Sequence, residues 1–197
     1  MNYQTSALWF YKPLYLVVGS LAFVSAVFGF SAVVGYLLLA GLVFPVVVSM
    51  RIHRLNEAGT ALTIKENSEW LVYVQGIPVR EQRSILKNPC FLSPQRTRQF
   101  FLRGFFVRLA IQALCLVMLY QQFQAQPVTP FNALLAGISL LALLYVFGRS
   151  LIALKQLLSG QFTAEEMTTP TGSVWYQGYF AHGNARHAGL EELLSIR

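Results

Sequence analysis

Residues 13–50 read PLYLVVGSLAFVSAVFGFSAVVGYLLLAGLVFPVVVSM, 38 positions without one charged side chain. Uncharged apolar runs of about 18 residues or more are candidates for crossing a membrane. One helix through the whole run would be about 57 Å long, roughly twice the thickness of a hydrocarbon core. A break at Phe28-Gly29-Phe30-Ser31 instead gives two helices of about 16–19 residues joined by a tight turn, each near the length of one span. Pro13 suits a first helical turn, where a missing N–H costs nothing. Pro45 falls inside the second helix and is expected to bend it. Lys12 ahead of an apolar stretch, with Val24-Ser25-Ala26 as a cut site, has the look of a secretory signal. The run continues well past Ala26, so the first segment reads as a retained anchor.

A second uncharged run covers residues 109–148. It predicts a helix over about 104–123, a polar break at 124–130 held by Pro127 and Pro130, and a further helix over about 131–154. Basic residues then orient the chain. Neither turn carries a Lys or Arg, whereas residues 51–103 carry nine: Arg51, Arg54, Lys65, Arg80, Arg83, Lys87, Arg96, Arg98 and Arg103. Lys12 precedes the first helix, and Arg149 and Lys155 close the last. With four spans every flanking basic residue lies on one side, which the positive-inside rule makes the cytoplasm. Three spans, with 13–50 as one tilted helix, would set Lys12 against that rule. The net charge of +7 is thus explained by topology, and nucleic acid is not expected as a partner.

The segments are a cytoplasmic N-terminus (1–12), a first hairpin (13–50), a basic loop (51–103), a second hairpin (104–154) and a cytoplasmic tail (155–197). In the loop, residues 61–65 and 70–74 alternate in polarity around a polar cluster at 66–69, which predicts a β-hairpin, with residues 79–86 as a third short strand. Ser93-Pro94 is an N-cap followed by a proline at the first helical position, opening a helix that runs into the third span. Arg96, Gln99 and Arg103 share one stripe of it, with Arg98 beside them, and Phe101 and Phe105 share another. That is the pattern of an interfacial helix meeting anionic headgroups with arginines and acyl chains with phenylalanines. In the tail, Gly160 is a helix stop, Thr163 to Glu166 fits a capping box, and Ser173 to Phe180 reads as an aromatic strand that includes Trp175 and Tyr176. Leu190, Leu193 and Leu194 form the apolar side of a last short helix, which needs something to dock on. The chain is accordingly expected to be an all-α integral membrane protein of about four transmembrane helices, with a small β-rich loop and a short mixed α/β tail.

Chemistry is sparse. There is no Asp, and all eight acidic residues are Glu, none of them within a span. Without an intramembrane Asp, Glu or His, ion-coupled pumping has no relay. Arg108 lies one turn inside the third span and is read as snorkelling to the interface. Gln112, deeper in the same helix, is read as bonding a neighbouring helix. Both are also the residues that would line a polar path. Cys90 and Cys115 are too few for a disulfide framework or a cysteine metal cluster. His182 and His187, five apart, do not align on one helix face, so no metal is expected. Nucleophile elbow, HExxH, phosphate loop and dinucleotide fingerprint are all missing, so no enzyme activity or cofactor is expected. The expectation is a non-enzymatic subunit or accessory factor of a bacterial inner-membrane assembly of secretion, conjugation, envelope-biogenesis or respiratory type. Its partners would be other membrane subunits and anionic lipid headgroups, in an oligomer or hetero-complex. A small oligomeric transporter or channel, and an immunity, exclusion or toxin-like regulator, are the alternatives.

Overall fold

A computed structural model describes residues 13–63, 68–74, 77–83, 88–127, 129–168, 172–182 and 185–194. The first apolar run breaks where expected. Helix α1 (Pro13–Val27) ends in a turn in which Gly29 N–H donates to Ala26 O at 3.0 Å and Phe30 N–H to Ser25 O at 2.8 Å. This pair of bonds is a Schellman motif, which requires a left-handed residue between its two arms. Gly29 supplies it, at φ 91°. An L side chain there would cost about 1–2 kcal/mol.

After the turn come α2 (Ala32–Leu38) and α3 (Phe44–Glu57), joined without interruption by a π-helical stretch, Leu39–Val43. The stretch has a local cause. Pro45 has no N–H for the carbonyl four residues back. The helix widens just ahead of it, Phe44 N–H reaching Leu39 O five residues back, so the proline is absorbed by a π-bulge. Next come α4 (Pro94–Ala125) and α5 (Pro130–Leu158). Among the described residues three helices are long and apolar enough to cross a membrane: Ala32–Glu57 at 26 residues, Pro94–Ala125 at 32 and Pro130–Leu158 at 29. The 15 described residues of α1 rise about 22 Å. The molecule is thus mostly helical, with three long apolar helices and a small sheet, as in a multi-pass membrane protein.

The chain divides into two compact units, one of residues 1–46 and 106–152, the other of 47–105 and 153–197. The first inverts the usual soluble pattern. Phe23 and Leu141 are 69% exposed, while Ser25, Gln112, Ser139 and Ser150 are buried. Its core joins Phe30 and Ala32 to Cys115 and Leu119 of α4 and to Leu135, Ala136 and Leu143 of α5. At the Gly29 turn, Gln122 of α4 caps α2 from outside. Its Oε1 accepts Ala32 N–H at 3.2 Å and its Nε2 donates to Ser31 Oγ at 2.7 Å. Phe28 and Phe131 meet edge to face with centroids 4.8 Å apart.

The second unit holds the strands β1 (Ala61–Leu62), β2 (Ser68–Val74), β3 (Ile77–Arg83), β4 (Cys90–Phe91), β5 (Phe162–Thr168), β6 (Val174–His182) and β7 (Ala185–Ala188), then α6 (Gly189–Leu194). Five form one sheet in the order β1-β4-β6-β5, with β7 also on β6. The basic loop and the tail are therefore one structure. Two expectations are corrected. The hairpin does not pair 61–65 with 70–74: β1 pairs with β4, and β2 pairs with β3 from Ser68↔Arg83 to Val74↔Ile77. Alternation identifies strands but not partners, and β2 and β3 are only two residues apart in sequence, the separation that favours a hairpin. Nor does Thr163 open a helix, because residues 162–168 pair with β6 along their whole length.

Candidate functional site

Helix α4 carries most of the residues singled out in the sequence, and its two faces treat them oppositely. Its start is as expected: Arg96 N–H donates to Ser93 Oγ at 3.3 Å, with Pro94 first in the helix. From there Thr97, Phe101, Phe105, Arg108, Gln112, Cys115 and Leu119 are all buried. Their spacings are three or four residues, which puts them on one buried stripe of a packed helix. Arg96, Arg98 and Arg103 face outward.

Phe101 and Phe105 do not meet acyl chains. Both are 0% exposed. Phe101 packs edge-on against Phe162 at 5.6 Å and Phe180 at 6.5 Å, and Phe105 against Phe180 at 5.8 Å between centroids. Such pairs contribute about 0.5–1.5 kcal/mol each beyond area burial. The α4 start is thus the floor of the tail's sheet. Two glycines permit the approach: a Cβ on Gly178 would lie 2.7 Å from Phe101 Cε2, and one on Gly189 would lie 2.6 Å from its Cζ.

Leu190 and Leu193 of α6 are 2% and 0% exposed. A Cβ on Gly104 would come within 2.9 Å of Leu193 Cδ2, so α6 docks on α4 inside its own unit. Leu194, Trp175 and Tyr176 are half-buried. Tyr176 Oη donates to Glu166 at 3.2 Å. That bond and the carboxylate's charge hold the phenol above its ordinary range.

A polar network that the sequence did not announce secures the helix. Asn88 Nδ2 donates to Gly178 O at 2.5 Å, and Asn88 Oδ1 accepts Leu190 N–H at 3.2 Å. One buried amide thus ties β6 to the first turn of α6. Gln177 Nε2 donates to Asn88 O at 3.2 Å and to Cys90 Sγ at 3.0 Å, while Tyr179 Oη donates to Gln177 Oε1 at 2.7 Å. No spacing motif marks these residues, because the partners lie nearly ninety positions apart. Burial pushes the Cys90 thiol up, with the bond from Gln177 opposing in part. The thiolate is the reactive species, and Cys90 and Cys115 are both 0% exposed. A thiol reagent at neutral pH is expected to label neither cysteine in the folded protein and both after denaturation. Native labelling, counted by mass, would contradict the packing.

In the first unit, Gln112 Nε2 donates to Ser150 Oγ at 2.9 Å and Val146 O at 3.3 Å, both on α5, as read from sequence. Its Oε1, fully buried, has no partner among the described residues. Arg108 is 5% exposed and engaged in an interaction of its own. A snorkelling head would be exposed, so that reading is corrected to a side chain packed within the protein. Among the described residues no three His, Cys, Asp or Glu side chains converge on a common point. Comparison with protein-family models, curated proteins and solved structures finds no match to the chain.

Proposed function

We propose that the protein is a non-enzymatic subunit or assembly factor of a larger bacterial inner-membrane complex, docking through the unit of residues 47–105 and 153–197. The observation that supports docking is the outer edge of β5. Strand β5 pairs with β6 over seven residues and ends the sheet, with no strand on its other side among the described residues. A free edge of this length is a template for a partner strand. Thr163 and Thr168 on it are exposed, and lysine there would blunt the edge. Native mass measurement after mild detergent extraction tests the reading. Wild type should run as a discrete larger assembly, and the double variant Thr163→Lys, Thr168→Lys should lose it. Wild type running as a lone chain would sink the proposal. The bonds from Gln112 to α5 support a structural role for this side chain over a path-lining one.

The same reading makes α1 part of a fourth crossing, with both termini cytoplasmic. Its support is the placement of the basic residues, Arg54 in the last turn of α3 and Lys155 in the last turn of α5. Gln161→Cys and Ala125→Cys, both at exposed positions, are expected to label from opposite sides of sealed vesicles, and Gln161→Cys with a cysteine in residues 1–12 from the same side. Labelling of the N-terminal cysteine from the Ala125 side would reduce the crossings to three.

A further inference from the structure

Two helices make the same change of chemistry along their outward faces. On α3, Val43, Val47 and Met50 are 44%, 52% and 53% exposed, and Arg54, next in the same three-and-four spacing, is exposed. On α4 the order runs the other way. Arg96, Gln99 and Arg103 are exposed, and Phe106, Val107, Leu114 and Val117 continue the face at 56%, 50%, 54% and 51%. In each case the switch from apolar carbon to guanidinium takes about one helical turn, a rise of roughly 4.5–6 Å. That is the depth over which a phospholipid passes from acyl chain to phosphate.

Among the described residues these guanidiniums have no acidic partner. No carboxylate there meets Arg54, Arg96 or Arg103; His53, beside Arg54, lies 3.4 Å from Glu57. Arg98 differs, since its Nη2 donates to Leu158 O at 3.2 Å. It caps the orphan carbonyls at the end of α5 and stands outside the set. Arg96 and Arg103 are two turns apart on one face, about 10.5 Å along the axis, with Gln99 between them as a further donor.

We propose that Arg54 on α3 and Arg96 and Arg103 on α4 bind the phosphates of anionic phospholipids, whose acyl chains lie along the apolar remainder of the same faces. An acidic protein would satisfy the arginines but not the phenylalanine, valine and leucine side chains that continue each face. A guanidinium presents a planar fork that matches a phosphate bidentately, and it is charged at every working pH. The inference rests on membrane insertion, as proposed above, and not on the identity of any complex.

Native mass spectrometry of the full chain titrated with phosphatidylglycerol or phosphatidylcholine reads it. Wild type should bind phosphatidylglycerol more tightly. Each of Arg54→Gln, Arg96→Gln and Arg103→Gln should reduce that preference roughly fivefold, and the triple variant should show none. Arg98→Gln should keep it, and triple replacement by lysine should keep part of it through charge alone. Thermal unfolding in phosphatidylcholine nanodiscs reports whether each variant is folded, and the single variants carry the test if the triple is not. Equal affinity of wild type for the two lipids would overturn the proposal. So would a preference untouched in folded variants, and an acidic protein partner would then be the reading left for these arginines. Failure of the complex to appear in detergent would leave the lipid result unaffected, so the two readings fail separately.

Discussion

Removing residues 189–197 is expected to unfold the unit of residues 47–105 and 153–197 while leaving the membrane helices inserted. The deletion takes away Leu190 and Leu193, at 2% and 0% exposure, each contributing about 1.5–3 kcal/mol by burial. It also strips Leu190 N–H from Asn88 Oδ1, leaving a buried acceptor unsatisfied at about 1–3 kcal/mol. The combined loss is on the order of 5 kcal/mol, comparable with the whole stability of a small domain. Limited proteolysis should cut the loop and the tail readily, and Cys90 should become reactive while Cys115 stays silent. The single variant Leu193→Ala should lose about 2–5 kcal/mol by the same route. From sequence alone the leucines look like a docking face for another protein, and deletion would then spare the fold and cost only the partner. A truncated protein with unchanged protease resistance and a silent Cys90 would restore that view.

Gly178→Ala is the second large effect. Its Cβ would lie 2.5 Å from Phe162 Cζ and 2.7 Å from Phe101 Cε2. Two terms compete. Alanine narrows the unfolded ensemble, stabilising by about 0.4–1 kcal/mol where the backbone tolerates it. Against this, Phe101 is fully buried among other rings and has little room to retreat, and overpacking of this kind costs about 1–3 kcal/mol. The steric term wins, and valine should be worse than alanine. Chemical denaturation of the unit measures it. Phe101→Leu should recover part of the loss in the double variant, a coupling expected of groups in contact. Additive losses would show that the two residues do not compete for the same space.

How much of this was legible in the sequence depends on range. Local signals worked. The uncharged runs located the helices, Ser93-Pro94 marked the start of α4, and Gly160, at φ 80°, marked the end of α5. Pro45 announced an irregularity, though the π-bulge that absorbs it is a finer outcome than a bend. Periodicity separated the faces of α4 but could not say which faced the protein. Phe101 and Phe105 suit lipid and a protein core equally well, and only the distant Phe162 and Phe180 decide between them. The same holds for Leu190 and Leu193. Strand β4, two residues long, is too short to carry an alternating pattern. Asn88 and Gln177, which hold the tail in place, look like ordinary loop and strand residues until the sheet is assembled.

The order of strands in that sheet sets a timetable. Cys90 on β4 pairs with Gln177 on β6, and the whole of α4 and α5 is made between them. At roughly 5–20 residues per second, β1 and β4, which pair with each other, wait on the order of 5–20 s after synthesis for β6 to cover the other edge of β4. During that interval α4 and α5 are being made, and the far edge of β4 has no partner strand. The sheet closes only once both long helices have been made, and a chain that stalls before β6 keeps an open edge on β4, a template for mispairing.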